Sequence, residues 1–316
     1  MKSVRPPAIC LLGPTASGKT DLAIEIVQRL PCEIISVDSA QIYKEMDIGT
    51  GKPDAETLAR APHRLIDFLD PAKTYSASQF RQDALREMEA IRSAGKIPLL
   101  VGGTMLYFRA LRDGLASMPA SDPLVREQIL AKAEHEGWAA VHAQLSVVDP
   151  ESAARIHPND PQRLQRALEV YLVSGKTMTA LHRQESAAMA AAQLPFDLHF
   201  FAIQPQDRAV LHTRIAQRFE RMIEQGLVAE VERLYARGDL DLSMPSVRAV
   251  GYRQTWRHIA GELSFDAMVE QGIIATRQLA KRQITWMRSW ENLRSFDSEN
   301  SETLDLLLNS ISKVAI

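Results

Sequence analysis

Cysteine is scarce in this 316-residue chain, and its scarcity excludes several classes of protein. Only two cysteines occur, Cys10 and Cys32, and both lie in or beside apolar segments. Two such residues make no disulfide framework, and no cysteine–histidine cluster has the spacing of zinc ligands. This usage is typical of a protein in a reducing compartment, and we expect a cytoplasmic location.

Long hydrophobic runs are also missing from the sequence. No run of roughly eighteen apolar residues occurs, so the sequence predicts no membrane-spanning helix. The N-terminal segment MKSVRPPAICLLGP has too short an apolar stretch for a signal peptide. Hydrophobic residues make up 46% of the chain and charged residues 24%, which is ordinary for a globular protein of one large domain or two smaller ones.

A strong excess of positive charge is a third feature that the chain lacks. Lysine and arginine number 37 against 39 aspartate and glutamate residues, a formal net charge of −2. This balance argues against nucleic-acid binding over the whole surface. It still allows a local basic patch to provide the electrostatic contact.

The most informative motif present is GPTASGKT, residues 13–20, between an apolar run and a helix-like segment. The pattern Gly-x-x-x-x-Gly-Lys-Thr in that setting predicts a phosphate-binding loop, whose backbone N–H groups and following helix N-terminus attract an anion. Lys19 adds a charge, and Thr20 offers a hydroxyl to Mg²⁺. The motif is common in ATP-binding proteins but does not require ATP. The predicted phosphate-binding residues are Gly13, Pro14, Thr15, Ala16, Ser17, Gly18, Lys19 and Thr20.

Asp38, which ends the predicted strand CEIISV, has three interpretations. Nucleotide hydrolases pair such a loop with an apolar strand that ends in a metal-holding aspartate. The other apolar strand, PLLVGG, ends in glycines, so Asp38 can fill that role. It can instead act as a general base beside an acceptor, or it can simply form a turn or cap. The residue pattern alone leaves the three open.

The predicted elements alternate as strand, helix, strand, helix, strand up to about residue 104, which favours a parallel sheet with helices on both faces. In SASQFRQDALREMEAIRSAGK, Ser76 or Ser78 can cap the helix and Gly95 can end it. Between about residues 119 and 195 no strand is predicted, and three segments begin with Asp-Pro, a helix-start signal. FDLHFFAIQP returns as a strand. We therefore predict an α/β fold with a discontinuous core, 1–118 and 196–316, and an all-helical insertion, 119–195.

Segments over nearly the whole chain resemble those of one enzyme family. They are GPTASGKT, SVDSAQIYKEMDIGTGKP, PLLVGGTMLYFRAL, ARIHPNDPQRLQRALEVYLVSGKT, RFERMIEQGLVAEV, RAVGYRQ and ATRQLAKRQITWMR. This ordered set is similar to that of the tRNA dimethylallyltransferases, also called tRNA isopentenyltransferases. The short length and the lack of a C-terminal zinc finger resemble the bacterial type.

The resemblance implies a reaction and a set of catalytic residues. A dimethylallyl group moves from dimethylallyl diphosphate to the exocyclic N6 amine of the adenosine just 3′ of the tRNA anticodon, and diphosphate leaves. In that case the loop holds the diphosphate, with Mg²⁺ at Thr20, and no nucleotide is hydrolysed. The family's pattern makes Asp38 the general base, Thr104 a substrate contact and Arg218 a diphosphate contact, with Arg214 one turn earlier. From the residues alone, Thr104 is equally suited to capping the next helix.

The resemblance also implies contacts with the tRNA anticodon stem-loop, with the target base flipped out of its stack. Ser39, Ala40 and Gln41 match the segment beside that base, and Arg126 with residues 162–166 match contacts of the helical insertion. Two further segments are locally basic, although each alone is also typical of a solvated surface. The remaining predicted RNA contacts are Gln162, Arg163, Leu164, Gln165, Arg166, Arg248, Gly251, Tyr252, Arg253, Lys281, Arg282 and Arg288. We expect a monomer.

Three rival functions share parts of this pattern. A small-molecule kinase would use the loop for ATP, but it needs neither a helical insertion nor a basic C-terminal helix. An adenylate isopentenyltransferase would alkylate a free nucleotide and needs no extended RNA surface. A non-catalytic RNA-binding module would not need an intact phosphate-binding loop together with Asp38.

Overall fold

The apolar runs of the sequence form the middle of a six-stranded sheet in the computed structural model, which describes residues 5–114, 118–191 and 194–315. The strands are β1 (Pro7–Leu12), β2 (Cys32–Val37), β3 (His63–Arg64), β4 (Ile97–Gly102), β5 (Asp197–Gln204) and β6 (Arg294–Asp297). Their order is β3-β2-β4-β1-β5-β6, and every neighbouring pair is parallel. This confirms the predicted fold class.

The helices that the structure describes surround this sheet or form a separate group. Before the insertion they are α1 (Lys19–Arg29), α2 (Ala55–Arg60), α3 (Ala77–Ser93) and α4 (Met105–Asp113). The separate group comprises α5 (Pro123–Glu136), α6 (Trp138–Val148), α7 (Pro150–Arg155), α8 (Pro161–Ser174) and α9 (Met178–Ala191). After it come α10 (Arg208–Glu224), α11 (Leu227–Ala236), α12 (Tyr252–Ile259), α13 (Phe265–Arg288) and α14 (Thr303–Ala315). In the ranges just given, none of the helices is long and apolar enough to cross a membrane.

Two compact units divide the chain, one formed by Met1–Arg112 with Leu194–Ile316 and the other by Asp113–Gln193. We call them the sheet unit and the helical unit. The predicted insertion was 119–195, so the compact division begins six residues earlier and ends two residues earlier. On the N-terminal side the division falls at the end of α4, whose last residue, Asp113, is the first residue of the helical unit.

The core of the sheet unit lies on both faces of the sheet, as expected when helices cover a parallel sheet. One face packs against α3 and α4 through residues such as Phe80 and Phe108, and the other against α1 and α14 through Ile26 and Ile311. Ser76, not Ser78, caps α3, and its hydroxyl accepts the N–H of Gln79. Strands β3 and β6 were not predicted, because a strand of two or four residues carries too little periodicity to detect.

The helical unit is built from the Asp-Pro starts that the sequence predicted. Asp122, Asp149 and Asp160 are the N-caps of α5, α7 and α8, each followed by proline. The segment that begins at Asp122 forms two helices, α5 and α6, because Gly137 takes a φ of 82° between them. The apolar core of this unit includes Ile129 and Leu164.

Candidate active site

The phosphate-binding loop, Asp38 and Thr104 lie at one edge of the sheet, because β1, β2 and β4 are parallel and end side by side. Ligands of open α/β sheets bind outside the carboxyl ends of the strands. A cavity of about 1150 Å³ opens there within the sheet unit. The predicted residues that line it are Thr15, Ala16, Ser17, Gly18, Lys19, Thr20, Asp38, Ala40, Gln41, Arg214, Arg218 and Gly251.

The phosphate-binding loop has backbone geometry that only particular residues allow. A Cβ atom on Gly13 would lie 2.5 Å from the Ser17 hydroxyl and 2.6 Å from the carbonyl oxygen of Ile203, so no side chain fits there. Gly18 caps α1 with a φ of 82°, a backbone conformation that would be strained for any residue with a side chain. Pro14 is buried beneath the loop, and its carbonyl accepts a hydrogen bond from Lys19 Nζ at 3.3 Å. Residues 15–20 of the loop, which include the start of α1, line the cavity.

Ser17 carries a polar atom with no protein partner in the described ranges. Its hydroxyl oxygen is buried and makes no hydrogen bond there. Buried hydroxyl groups are normally paired, so an orphan at this point of the loop suits a site that is completed by a ligand. Thr20, one residue beyond Lys19, lines the same cavity.

Two cations share this half-buried site. Burial, the largest cause, and the neighbouring Arg218 together lower the pKa of Lys19 to about 8, while Asp38 opposes the shift. Burial also lowers the pKa of Arg218, which the Asp38 charge partly offsets. The cavity thus concentrates positive charge in a partly dehydrated space, where an anionic ligand interacts more strongly than in water.

Asp38 both forms a turn and keeps part of its carboxylate open. Its Oδ1 accepts the N–H of Ala40 at 2.8 Å and that of Gln41 at 3.3 Å. Among the residues that the structure describes, Oδ2 has no hydrogen-bond donor. The turn fixes the orientation of the carboxylate while one oxygen still faces the cavity.

Thr104 joins the segments that follow two neighbouring strands. Its hydroxyl oxygen accepts the N–H of Ser39 at 3.0 Å and lies 3.4 Å from the Ser39 hydroxyl. The side chain therefore holds the residue after Asp38, while the backbone carbonyl of Thr104 begins the hydrogen-bonding of α4.

Arg214 lies one turn before Arg218 on α10 and contacts the segment after β6. It donates hydrogen bonds to the Ser298 hydroxyl at 3.1 Å and to a carboxylate oxygen of Glu299 at 3.0 Å. Its guanidinium is at the cavity wall, but in this structure it is neutralised by Glu299.

Two polar residues whose hydrogen bonds hold loops at the site were not predicted from the sequence, because both lie on buried helix faces. Gln283 accepts the Thr15 N–H at 2.9 Å and donates to the Gly103 carbonyl at 2.9 Å, so it links the phosphate-binding loop to the end of β4. Glu230 is 1% exposed and accepts hydrogen bonds from three backbone N–H groups. The helical spacing of the sequence could have indicated their burial. Gln283 lies on the same buried face of its helix as Ala280, and Glu230 on the same buried face as Leu227.

Two predicted RNA contacts, Leu164 and Tyr252, have buried side chains. Leu164 is fully buried in the core of the helical unit, because it lies on the apolar stripe of α8. Tyr252 is 1% exposed, and its hydroxyl donates to Glu230. The side chains of both residues are engaged within the protein, and their role as RNA contacts stays a prediction.

The predicted RNA contacts of the helical unit differ in how strongly their side chains are bound to other residues of the protein. Arg126 and Arg166 form ion pairs with the buried Glu169, at 3.1 Å and 2.8 Å. Gln165 donates to the Arg126 carbonyl, and Gln162 is exposed. Arg163 is 73% exposed and has only a loose ion pair with its cap, at 3.4 Å. Arg163 is therefore the arginine of this group that is most open to a ligand.

The predicted basic residues of the C-terminal part lie on the surface of the sheet unit. The exposed side chains are Arg248, Arg253, Lys281, Arg282 and Arg288. Their role as RNA contacts stays a prediction, and their exposure is compatible with it.

The fold and the site define a class of protein, an α/β protein with a strand–loop–helix phosphate-binding motif at the carboxyl edge of a parallel sheet. Residues 41–290 match the family model described as IPP transferase, and residues 7–70 match the model described as isopentenyl transferase. The chain belongs to the IPP transferase family and is a prenyltransferase enzyme. This confirms the resemblance found in the sequence and excludes the kinase and the non-catalytic module.

Individual relatives cover nearly the whole chain. A protein of Thioalkalivibrio sulfidiphilus named tRNA dimethylallyltransferase is 61% identical over 294 residues, which are 93% of this chain and 91% of the relative. The crystal structure of a tRNA isopentenylpyrophosphate transferase from Bacillus halodurans is similar with a TM-score of 0.72 and 33% identity, covering 98% and 97% of the two chains. A eukaryotic dimethylallyltransferase described as acting on tRNA has a TM-score of 0.77 and 25% identity, covering 97% of this chain and 78% of that one.

Proposed function

We propose that this enzyme transfers a dimethylallyl group from dimethylallyl diphosphate to the N6 amine of the adenosine 3′-adjacent to the anticodon of tRNA, releasing diphosphate. The observation that carries the proposal is the grouping of Lys19, Arg218 and Asp38 in one cavity of a chain that belongs to the IPP transferase family. The names of the relatives, which specify dimethylallyl transfer and tRNA, support the choice of donor and acceptor.

The phosphate-binding loop is proposed to hold the diphosphate leaving group. An allylic carbon ionises partly as diphosphate departs, so negative charge develops on the leaving oxygen. Backbone N–H groups and cations that already point at that oxygen stabilise it, each by up to roughly 3–4 kcal/mol in a preorganised site. Lys19 and Arg218 are proposed to supply this charge, with Arg214 reaching the diphosphate once it leaves Glu299.

Mg²⁺ is proposed as the metal, held on the protein side by Thr20. Mg²⁺ is usually bound by few protein oxygens together with phosphate oxygens and water, so a single hydroxyl beside Lys19 fits it. The described residues contain no cluster of three histidine, cysteine or acidic side chains, which is compatible with an ion held mainly by the substrate. Bound there, Mg²⁺ would supply further charge neutralisation for the diphosphate.

Asp38 is proposed as the general base. The amine of adenine is a poor nucleophile, because its lone pair is delocalised into the ring. A carboxylate that accepts its hydrogen bond and then its proton increases the rate by roughly 10²–10⁴-fold. The open Oδ2 suits this role, while Oδ1 is held by the turn. Thr104 is proposed to support it by holding Ser39, so that Ser39, Ala40 and Gln41 lie beside the acceptor base.

The tRNA is proposed to bind through exposed basic residues of both units. Arg163 of the helical unit and the exposed basic residues of the sheet unit supply charge for the phosphate backbone, which dominates affinity for nucleic acid. The target adenosine must leave its stack to reach a carboxylate at the sheet edge, so base flipping is part of the proposal. We also propose that the enzyme works in the cytoplasm as a monomer.

A transfer assay tests this function directly. Radiolabelled dimethylallyl diphosphate is offered with unmodified tRNA and with free AMP, and the label is followed in each acceptor. Label in tRNA alone, mapped to the adenosine beside the anticodon, is the expected result. Label in AMP alone would assign the chain to nucleotide alkylation, and no label in either acceptor would overturn the proposal.

A further inference from the structure

Glu230 is a carboxylate buried in the sheet unit, where a charge is costly unless its oxygens are paired. Its Oε2 accepts the N–H groups of Asp47 at 2.9 Å and Ile48 at 2.8 Å. Its Oε1 accepts the N–H of Gly49 at 3.1 Å and the hydroxyl of Tyr252. All of its backbone contacts fall on the consecutive residues 47–49, so this one side chain anchors the first part of residues 47–51, which we call the 47–51 loop.

The 47–51 loop forms the surface against which Arg218 lies. Nη2 of Arg218 is 3.5 Å from the carbonyl oxygen of Thr50. A Cβ atom added to Gly51 would lie 1.9 Å from the same nitrogen, so the guanidinium rests directly on the backbone of Gly51. A shift of the loop by a fraction of an ångström therefore moves or releases Arg218.

The same loop is joined to the turn that holds Asp38. The carbonyl of Gly51 accepts a hydrogen bond from Gln41 Nε2 at 3.1 Å, and the backbone N–H of Gln41 donates to Asp38 Oδ1. Residues 48–51 also line the cavity together with Lys19 and Asp38. One anchored loop thus contacts the elements that place both Arg218 and Asp38.

The loop has a second anchor on its outer side, where Lys52 contacts Asp47, Asp67 and the carbonyl of Tyr43. The two carboxylates of that anchor are 60% and 51% exposed, so water can replace them. Glu230 lies where water has no access, and its loss cannot be compensated by solvent. Lys52 itself is 5% exposed, so both anchors have a buried side chain, and Glu230 is the one that binds three N–H groups of the loop directly.

We propose that Glu230 is a positioning residue for prenyl transfer, acting through the 47–51 loop to hold Arg218 in its place beside the donor. The inference rests on the proposed function, in which Arg218 contacts the diphosphate. Glu230 itself touches neither substrate in this arrangement.

The test combines Glu230→Gln with Arg218→Ala in a double-mutant cycle, measured by single-turnover transfer to tRNA. The glutamine has the same size but places an NH₂ donor against backbone donors, which displaces the loop. We expect Glu230→Gln alone to lower the transfer rate about 100-fold, the cost of a small misplacement of a catalytic group. In the Arg218→Ala background the same change should cost less than about 5-fold, because the group that it positions is already absent.

Val231→Ala is the matched control, since Val231 is the next residue on α11, is fully buried in an apolar cluster and has no polar side-chain atom that could bind the backbone N–H groups of the loop. It should lower the midpoint of thermal unfolding while leaving the transfer rate close to that of the parent enzyme. If the rate loss of the double variant equals the product of the losses of Glu230→Gln and Arg218→Ala, the two residues act independently. Glu230 would then be merely structural, and the inference would be overturned.

Two further outcomes are separated by this design. If Glu230→Gln does not fold, Glu230→Asp enters the same cycle, because it keeps the charge but is too short to reach all three N–H groups. Absence of transfer by the parent enzyme would instead refute the proposed function, whereas parent-like transfer by a folded Glu230 variant would refute only the inference.

Discussion

At the scale of single residues, the carboxylate of Asp38 shares the cavity with the cations Lys19 and Arg218. Asp38 interacts with both Lys19 and Arg218, yet its only hydrogen bonds among the described residues are to backbone N–H groups. The side chain is thus oriented by the chain itself and not by an ion pair. That arrangement leaves an oxygen available to an acceptor and keeps the cations available to an anionic donor.

Asp38→Asn tests the proposed base with little change of shape. Asparagine can still accept the N–H of Ala40 through its amide oxygen, but it cannot take a proton from the acceptor amine. We expect kcat to fall by roughly 10²–10⁴-fold with tRNA affinity nearly unchanged. Single-turnover rates and a tRNA binding titration check this, and an equal loss in both would show that Asp38 is structural.

Lys19 predicts a pH dependence of donor capture. Its pKa is lowered to about 8, mainly by burial, so the free enzyme loses this positive charge as the pH rises through about 8. An unperturbed lysine would stay charged up to about pH 10. We therefore expect kcat/KM for the donor to decline above pH 8.

The parameter kcat at saturating donor should respond less to pH, because bound diphosphate stabilises the protonated amine. Phosphate groups are fully ionised well below pH 8, since their second pKa is about 6, so the donor itself does not cause the decline. A flat kcat/KM up to pH 9.5 would show that Lys19 keeps its proton throughout.

At the scale of secondary-structure elements, helices far along the chain support the phosphate-binding loop and the 47–51 loop. Gln283 of α13 links Thr15 to Gly103, and Glu230 of α11 holds the 47–51 loop. The catalytic edge is therefore not built by the strand ends alone. Its geometry depends on how α10, α11 and α13 pack against the loops.

Gly51→Ala tests this dependence with Gly95→Ala as its control. Both glycines have positive φ, 62° and 73°, so both substitutions carry a similar backbone strain of roughly 1–2 kcal/mol. Only at Gly51 does the new Cβ meet another group, the end of the Arg218 side chain, whereas Gly95 has nothing within 4 Å. We expect similar losses of unfolding free energy but a loss of kcat for Gly51→Ala alone. Equal activity of the two variants would remove Arg218 from the mechanism.

At the scale of the whole molecule, the net charge is only −2, so attraction to RNA depends on where the individual positive charges lie. In the helical unit, Arg126 and Arg166 neutralise the buried Glu169, and only a residue such as Arg163 has its charge free for a distant partner. Counting arginines on a helix therefore overstates its affinity for RNA.

Arg163→Ala should weaken tRNA binding and reduce the slope of log K against log salt by about 1, as for the loss of one phosphate contact. Arg183→Ala is the control, because Arg183 belongs to the same unit, is 70% exposed against 73% for Arg163, and is ion-paired at 2.6 Å. Binding titrations at several salt concentrations measure both slopes. An identical slope for the two variants would place Arg163 outside the interface.

Local features were predictable from the sequence because their causes are local. The phosphate-binding loop, Asp38 at the end of β2, the Ser76 cap and the Asp-Pro helix starts each depend on residues within a few positions of one another. The same reasoning explains the parallel sheet, since alternating strands and helices leave few other arrangements. The ordered motifs then identified the family.

Only the tertiary structure decided which polar residues are buried and what they hold. The hydrogen bond from Thr15 to Gln283 spans 268 positions, and those from the 47–51 loop to Glu230 span more than 180. No local pattern distinguishes such residues from solvated ones, and the burial of Leu164 and Tyr252 was not predicted for the same reason. The sequence by itself determined the chemistry available at the sheet edge, whereas packing between distant segments decided its geometry, because burial is a property of the folded chain as a whole.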